Sequence, residues 1–205
     1  NFDDIRFIVP NMAKSAATMM VLSGDQILMD DKSELCPIDP QIQINGNFVP
    51  AQTVIDGFEE AKAIIKEGGP EILPAYLPLL SKYDLHILQI CENARKLSEN
   101  LVCNWLKQYM FKKDKNKKQK AEKIAKKLSS HKEYLSHGRP VKISDVKDMG
   151  LNVFDLRENK ELRDKIWELY CVIEILLDRS PIIKLYENNK GTFLIKQIPL
   201  QIPKQ

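Results

Sequence analysis

The stretch VPNMAKSAATMM, residues 9–20, decides the fold of this 205-residue chain. The residues before it are mostly β-branched or aromatic and predict a strand over 5–9, which Pro10 interrupts. Ser15 then opens a run of small and apolar residues, which predicts a helix over 15–23 that is apolar on nearly every side and therefore buried. A strand that leads to a serine at a helix start is one geometry that makes a serine nucleophilic, because backbone N–H groups and the helix dipole stabilise negative charge there.

A second strand and a proline-rich turn follow this helix. A Gly-Asp pair at 24–25 ends the helix, and the apolar run QILM predicts a covered parallel strand over 26–30. The turn reads ELCPIDPQ, residues 34–41, and places Asp39 directly before a proline. The first 45 residues are therefore predicted to be α/β.

Helical periodicity dominates the middle of the chain. Apolar residues over 51–130 recur in threes and fours, with a Gly-Gly-Pro break at 68–70. A short helix is expected next, with Ser144 as its N-cap and Gly150 as its C-cap. We interpret this part of the chain as a core over 1–151 that carries a helical insertion over 51–130.

The remaining residues, 152–205, are predicted to form a C-terminal extension. Apolar residues in helical register predict a helix over 158–178. Two short apolar strands, 182–186 and 192–195, are joined by a polar, glycine-containing turn and predict a β-hairpin.

A lysine-rich segment, 112–127, carries a net charge of +7 in a chain whose net charge is +3. One interpretation is contact with an anionic surface, a nucleic acid or a membrane, through lysines of this segment. Those lysines are Lys112, Lys113, Lys115, Lys117, Lys118 and Lys120. The alternative is a solvated helix, because Ala121, Ile124, Ala125 and Leu128 supply an apolar face behind the charges.

The amino-acid composition limits the class of protein to which the chain can belong. The chain is 43% hydrophobic and 29% charged, which is ordinary for a globular protein. Four scattered cysteines without a CxxC pair predict free thiols in a reducing compartment. No histidine shows zinc-site spacing with a cysteine, and no nucleotide-binding glycine motif is present, so we expect neither a metal nor a cofactor.

No apolar run of about 18 residues occurs, so no transmembrane helix is predicted. We therefore expect a cytoplasmic protein. The chain starts at Asn1 rather than at a methionine, and we expect a truncated N-terminus, with membrane association only through a missing upstream segment.

Several segments together resemble the serine dehydrogenase proteinase family, a signal peptide peptidase A-like branch of the Clp-protease/crotonase fold. They are SAAT at 15–18, ILMD at 27–30, CPIDPQ at 36–41 and SHGRPV at 136–141. Cys36 stands where the family usually has glycine, and Gly138 stands where an acid can follow the histidine.

The resemblance implies an α/β fold of the Clp-protease/crotonase type, with a helical middle region and a C-terminal β-hairpin. The fold is expected to be partial, with its N-terminal strands missing. It also implies a peptide or protein substrate and a homo-oligomer, because relatives build rings or stacked assemblies. It places Ser15 at the position of the nucleophile, downstream of a Gly-Gly turn that supplies part of the oxyanion hole and is expected to be missing here.

The identity of the general base stays open. Relatives of the signal peptide peptidase type use a Ser–Lys dyad, and the Clp branch uses Ser-His-Asp. Lys62 lies on the flank of an apolar helical stripe, which favours the desolvation that activates a lysine, and Lys66 continues that flank. His137 is the other candidate, and Asp39 is expected either to orient the base or to hold its own turn.

Two functions from different classes follow. The first is a serine endopeptidase that cleaves peptide bonds by acyl transfer through Ser15, with the helix start at Ala16 supplying an oxyanion donor. The alternative interpretation of Ser15 is that it only caps the helix and has no catalytic role. The second function is a catalytically inactive crotonase-fold scaffold that assembles into oligomers and binds protein or nucleic acid, which the departures at Cys36 and Gly138 favour.

Overall fold

The structure is a computed structural model that describes residues 2–44, 46–81 and 84–198, with only the backbone of Leu85. It is a mixed α/β protein and divides into two compact units, 1–155 and 156–205. The boundary predicted from the sequence falls after residue 151, and residues 199–205 of the predicted extension lie outside the described part of the chain.

The first unit alternates short strands with helices. Its strands are β1 (Arg6–Val9), β2 (Met12–Ala13), β3 (Gln26–Met29), β4 (Glu34–Leu35), β5 (Gln41–Ile44), β6 (Asn47–Pro50) and β7 (Val153–Asp155). Its helices are α1 (Ala16–Val21), α2 (Ala51–Gly68), α3 (Leu73–Leu80), α4 (Leu85–Gln108), α5 (Lys117–Ser129), α6 (His131–Tyr134) and α7 (Ile143–Asp148).

This unit contains a three-stranded parallel sheet in the order β1-β3-β7. Val9 pairs with Met29, and Met29 pairs with Asp155. Ile27 and Met29 of the central strand are fully buried, as the continuous apolar run predicts for a parallel strand covered on both faces.

A second, smaller ladder lies next to α1. Strands β2 and β4 run parallel, with Ala13 opposite Leu35. Leu35 also forms an antiparallel bridge with Val141, through N–H to carbonyl bonds of 3.0 and 2.9 Å. Three distant segments of the chain therefore lie side by side at Ala13, Leu35 and Val141.

Helix α1 is buried on one side only, so the prediction of a helix buried all round is wrong. Thr18 and Val21 are buried, whereas Ala16 and Ala17 are exposed and Met20 is 57% exposed. The composition of the helix is apolar throughout, but only the face that carries Thr18 and Val21 packs into the core.

The hairpin β5–β6 is absent from the sequence-based prediction. Its strands pair antiparallel from Gln41 to Pro50, and Gly46 adopts a φ of +83°. An Asn-Gly pair at 45–46, which is typical of two-residue hairpin turns, was the available signal. Directly after it, the Ala51 N–H donates to the Pro40 carbonyl and starts α2 against the turn that holds Asp39.

The helical middle region contains separate helices rather than one long element. Helix α2 ends at the predicted glycine break, with Gly69 at a φ of +70°. Helix α5 buries the apolar face predicted behind its lysines, which are Ala121, Ile124, Ala125 and Leu128. The apolar face predicted behind the lysines therefore forms, on a helix that starts at Lys117.

Helix α7 starts earlier than predicted, and the assignment of Ser144 as its N-cap is wrong. Lys142 occupies the cap position, and its N–H donates to a carboxylate oxygen of Asp145 at 2.9 Å. The acid one turn into the helix stabilises the start, so no hydroxyl cap is needed. Gly150, at a φ of +74°, follows the helix end as predicted.

The second unit contains a 3-10 turn (Leu156–Glu158), α8 (Lys160–Asp178), β8 (Ile182–Glu187) and β9 (Phe193–Gln197). The strands β8 and β9 pair antiparallel, so the predicted helix and hairpin both form. Many of their apolar side chains remain exposed, including Leu169 and Val172 on α8 and Phe193 and Leu194 on β9. Among the described residues, no helix combines the length and the apolar character needed to cross a membrane.

Candidate active site

One end of the small β2–β4 ladder leads to three candidate site residues, which are Ser15, Asp39 and His137. Because β2 and β4 are parallel, the chain leaves Ala13 towards Ser15 and leaves Leu35 towards Asp39 in one direction. Val141 pairs antiparallel with Leu35, so the chain traced backwards from Val141 to His137 runs in that direction too. The ladder therefore directs three residues from distant parts of the sequence to one end.

Asp39 and His137 contact each other directly. Nδ1 of His137 lies 2.7 Å from Oδ1 of Asp39, and the two side chains are 27% and 1% exposed. A carboxylate accepts hydrogen bonds, so the tautomer of a neutral imidazole that fits this contact carries its proton on Nδ1 and leaves Nε2 as an acceptor. The sequence named both residues, and the structure brings them together.

Asp39 is held by further polar contacts, as a buried carboxylate requires. Its Oδ2 accepts a hydrogen bond from Nε2 of Gln41 at 3.1 Å. Gln41 is the first residue of β5, so the start of the β5–β6 hairpin fixes the carboxylate plane. The interpretation of Asp39 as a carboxylate that orients a base is compatible with these contacts.

A second histidine, His131, lies on the other side of Asp39 and was missed in the sequence. Nδ1 of His131 lies 3.6 Å from Oδ2 of Asp39, which is too long for a hydrogen bond. This nitrogen is buried and has no hydrogen-bond partner among the described residues. His131 starts the one-turn helix α6, and no spacing motif links it to Asp39, so no signal in the sequence marks this contact.

Ser15 has the backbone conformation of a strained turn. Its φ is +49° and its ψ is −111°, a combination that L-residues other than glycine rarely adopt. Such strain costs on the order of 1–3 kcal/mol and is concentrated at functional sites. The side chain makes no capping hydrogen bond to α1. Ser15 therefore occupies the N-cap position of α1, but its hydroxyl does not cap the helix.

Thr18 ties the start of α1 to the turn that leads to Asp39. Its hydroxyl donates to the Ala13 carbonyl at 2.6 Å and accepts the Cys36 N–H at 3.1 Å. Thr18 and Cys36 are both fully buried. Burial raises the pKa of the Cys36 thiol, so this residue fills space beside the turn as a neutral group.

Ala16 is the first residue of α1, directly after Ser15. The first N–H groups of a helix have no acceptor within the helix. Its neighbour Ala17 donates to the Lys14 carbonyl at 2.9 Å, whereas the Ala16 N–H has no hydrogen-bond acceptor among the residues that the structure describes.

The two candidate lysines lie in solvent on α2. Nζ of Lys62 lies 2.9 Å from each carboxylate oxygen of Glu59, and its side chain is 55% exposed. Lys66 is exposed in the last turn of the same helix. Neither lysine is desolvated as a neutral amine base requires. The described residues also contain no group of three or more His, Cys, Asp or Glu side chains that could hold a metal ion.

Comparison with known proteins gives the family. The family described as "ClpP-like SDH-type serine proteinase" matches residues 2–184. The chain therefore belongs to this family of ClpP-like serine proteinases, and the resemblance seen in the sequence is confirmed.

Two relatives are both uncharacterized proteins of Methanocaldococcus jannaschii. MJ0137 is 30% identical over 150 residues, which are 73% of this chain and 43% of that protein. MJ1495 is 29% identical over 162 residues, which are 79% of this chain and 44% of that protein. The chain thus spans less than half the length of these curated relatives. No solved structure matches the chain.

Proposed function

We propose that this chain is the catalytic part of a serine endopeptidase of the Clp-protease/crotonase fold, with Ser15 as nucleophile and His137 as general base. The observation that carries the proposal is the pair of His137 and buried Asp39, 2.7 Å apart, at the end of the ladder that also leads to Ser15. The backbone of Ser15 is strained, and its hydroxyl makes no capping hydrogen bond to α1. Both observations support the same assignment.

In the first step, the Ser15 Oγ attacks the carbonyl carbon of the scissile peptide bond. Its proton passes to Nε2 of His137, and the negative charge of the tetrahedral intermediate accepts a hydrogen bond from the Ala16 N–H. The C–N bond then breaks, His137 returns its proton to the departing amine, and an ester of Ser15 remains.

In the second step, water attacks the ester carbon while His137 takes one of its protons. The carbonyl re-forms, the Ser15 oxygen leaves and regains the proton, and the product departs as a carboxylic acid. Asp39 does not gain a proton in either step. It accepts the Nδ1–H bond, which keeps Nε2 basic and stabilises the imidazolium.

Burial increases the effect of Asp39. A carboxylate that is 1% exposed interacts with a neighbouring imidazolium through a medium of lower dielectric constant than water. Lys62 and Lys66 are exposed on α2, so His137 replaces them in the proposal.

We also propose that copies of the chain associate through the second unit. Helix α8 exposes Leu169, Val172 and Leu176, at 62%, 59% and 44%. Contiguous exposed apolar residues of this kind mark protein interfaces. Sedimentation velocity would show a dimer or larger species, and a strict monomer at micromolar concentration would contradict this association.

The peptidase is tested by incubating the full chain with a peptide mixture and counting new termini by mass spectrometry. Cleavage by the wild type should be abolished in Ser15→Ala and in His137→Ala. His86→Ala removes a histidine that contacts Asp84 in solvent and is the matched control, with unchanged cleavage expected. Cleavage that persists in Ser15→Ala, or no cleavage by the wild type, would contradict the proposal.

A further inference from the structure

A basic cavity of about 440 Å³ lies between α4, α5 and the start of α6. Its charged lining consists of Arg95, Lys123, Lys126, Lys127 and Lys132 against Glu99 and Glu133. Small-molecule sites in proteins have volumes of roughly 300–1,000 Å³, so the cavity is large enough for a small anion.

Three lysines of α5 converge on this cavity. Lys123 and Lys127 are four residues apart, and Lys126 is three residues from Lys123, so all three share one helix face. Like charges at this spacing destabilise a helix. Among the described residues, none of their side chains forms an ion pair or a hydrogen bond, so this repulsion is not relieved within the described chain.

One residue of the lining, Arg95, carries an unsatisfied donor. Nε of Arg95 is buried and has no hydrogen-bond partner in the part of the chain that the structure describes. Its NH1 lies 3.5 Å from Oε1 of Glu99. At this distance the Glu99 carboxylate neutralises the positive charge of the guanidinium only in part. Glu99 is also shared, since it accepts a hydrogen bond from Ser129 at 2.9 Å. A buried donor without an acceptor is destabilising, and an oxyanion that reaches it would supply the missing acceptor.

We propose that this cavity binds a small molecule that carries two or more phosphoryl groups. The five cationic side chains of the lining face Glu99 and Glu133, and Lys132 also pairs with Asp56 at 3.3 Å, which leaves an excess of two positive charges for a multiply charged phosphate to match. Phosphate oxygens accept hydrogen bonds from guanidinium and ammonium groups, and these charge-assisted bonds are the strong ones. A concave site between helices favours a compact ligand over a flat membrane surface.

This site differs from the anionic surface expected for the first half of the lysine-rich segment. There, Nζ of Lys112 lies 2.6 Å from a carboxylate oxygen of Asp25, and Lys120 lies 3.5 Å from Asp114 and over the ring of Phe111. Those two lysines are engaged within the chain. Three of the four lysines that line the cavity, Lys123, Lys126 and Lys127, belong to the second half of the segment, and Lys132 follows it on α6.

Titration calorimetry of the full chain with inorganic pyrophosphate at 0.15 M salt tests the proposal. The double variant Lys123→Gln/Lys127→Gln should bind at least about tenfold more weakly, since it removes two charge-assisted hydrogen bonds to the ligand. Lys113→Gln/Lys118→Gln removes the same charge from exposed positions of the same segment outside the cavity, and its affinity should stay within about twofold of the wild type.

The remaining outcomes overturn the proposal. They are no binding by the wild type, an equal loss in both double variants, and stronger binding of a poly-glutamate peptide or of phosphatidylglycerol vesicles than of pyrophosphate. Circular dichroism of each variant separates a lost site from a lost fold. Peptide cleavage is not part of this readout, so the result is independent of the proposed peptidase.

Discussion

Nδ1 of His137 lies 2.7 Å from Oδ1 of Asp39, although 98 positions separate the two residues along the chain. The antiparallel bridge between Leu35 and Val141 explains the contact, because the chain continues from the bridge in matched steps to Asp39 on one side and His137 on the other. A buried carboxylate with a histidine beside it is an arrangement that makes an imidazole basic and fixes its tautomer.

Replacing His137 with alanine should lower the rate of peptide cleavage by about 10²–10⁴-fold, the usual contribution of a general base. The unfolding midpoint should also fall somewhat, because Asp39, which is 1% exposed, loses a hydrogen-bond partner, so the rates are compared below the unfolding transition of the variant. Initial rates and urea denaturation of the same preparation measure both. A loss of less than about threefold would show that another group takes the proton.

Replacing Lys62 with methionine should leave the cleavage rate unchanged within about twofold. Lys62 forms an exposed ion pair with Glu59, and such pairs contribute little to stability. The same assay applied to Lys66→Met covers the other lysine candidate. A large rate loss in either variant, with a normal unfolding midpoint, would restore the Ser–Lys dyad.

An isosteric pair of variants at His131 tests whether Asp39 is charged. His131→Asp places a second carboxylate beside Oδ2 of Asp39, whereas His131→Asn places a neutral amide there. A second carboxylate beside the buried Asp39 repels it, so we expect the Asp variant to be less stable than the Asn variant by about 1–3 kcal/mol. Equal stability of the two variants in urea denaturation at pH 7 would contradict an ionised Asp39.

Cysteine reactivity reports on the packing around the site. Cys36, Cys91 and Cys103 are buried, and burial raises the pKa of the thiols of Cys36 and Cys91. Cys171 is exposed. A disulfide reagent at pH 7.5 should therefore modify Cys171 alone in the native protein and all four thiols in urea. Rapid native modification of Cys36 would show that the turn before Asp39 is open.

The ion pair between Lys112 and Asp25 should make stability depend on pH. The hydrogen bond from Lys112 lowers the pKa of Asp25, so the pair stabilises the fold above the unfolded-state value of about 3.9. That contribution is lost as the pH falls through the lower folded-state pKa. Lys112→Met should thus be less stable than the wild type at pH 6, and the difference should shrink as the pH falls below the unfolded-state pKa of Asp25. A difference that does not change with pH would contradict the assignment.

Local features of this chain could be predicted from the sequence, and contacts between distant segments could not. Strand β3, the break after Gly68 and helix α8 each follow from a continuous pattern of neighbouring residues. The exposure of Met20 depends instead on which elements cover α1, and no local pattern reports this. The contact between His131 and Asp39 depends on how α6 packs, so it became visible only in the structure.

For the candidate site too, the sequence predicts some features and leaves others open. Ser15 could be named because a serine after a strand break is a local signal, and Asp39 and His137 could be named from the resemblance. The choice between His137 and Lys62 could not be made, because it depends on which side chain meets a buried acid and which meets solvent. Periodicity places Lys62 on the flank of α2, and the structure places that flank in water.

The most direct test of Ser15 as nucleophile is the position of a covalent adduct. The full chain is treated with a fluorophosphonate, and the modified residue is located by mass spectrometry of its peptides. The account predicts one adduct on Ser15, lost in Ser15→Ala, strongly slowed in His137→Ala and unchanged in Ser23→Ala, which removes a hydroxyl bonded to the Met20 carbonyl. No adduct on the wild type, or an undiminished adduct in Ser15→Ala, would contradict it.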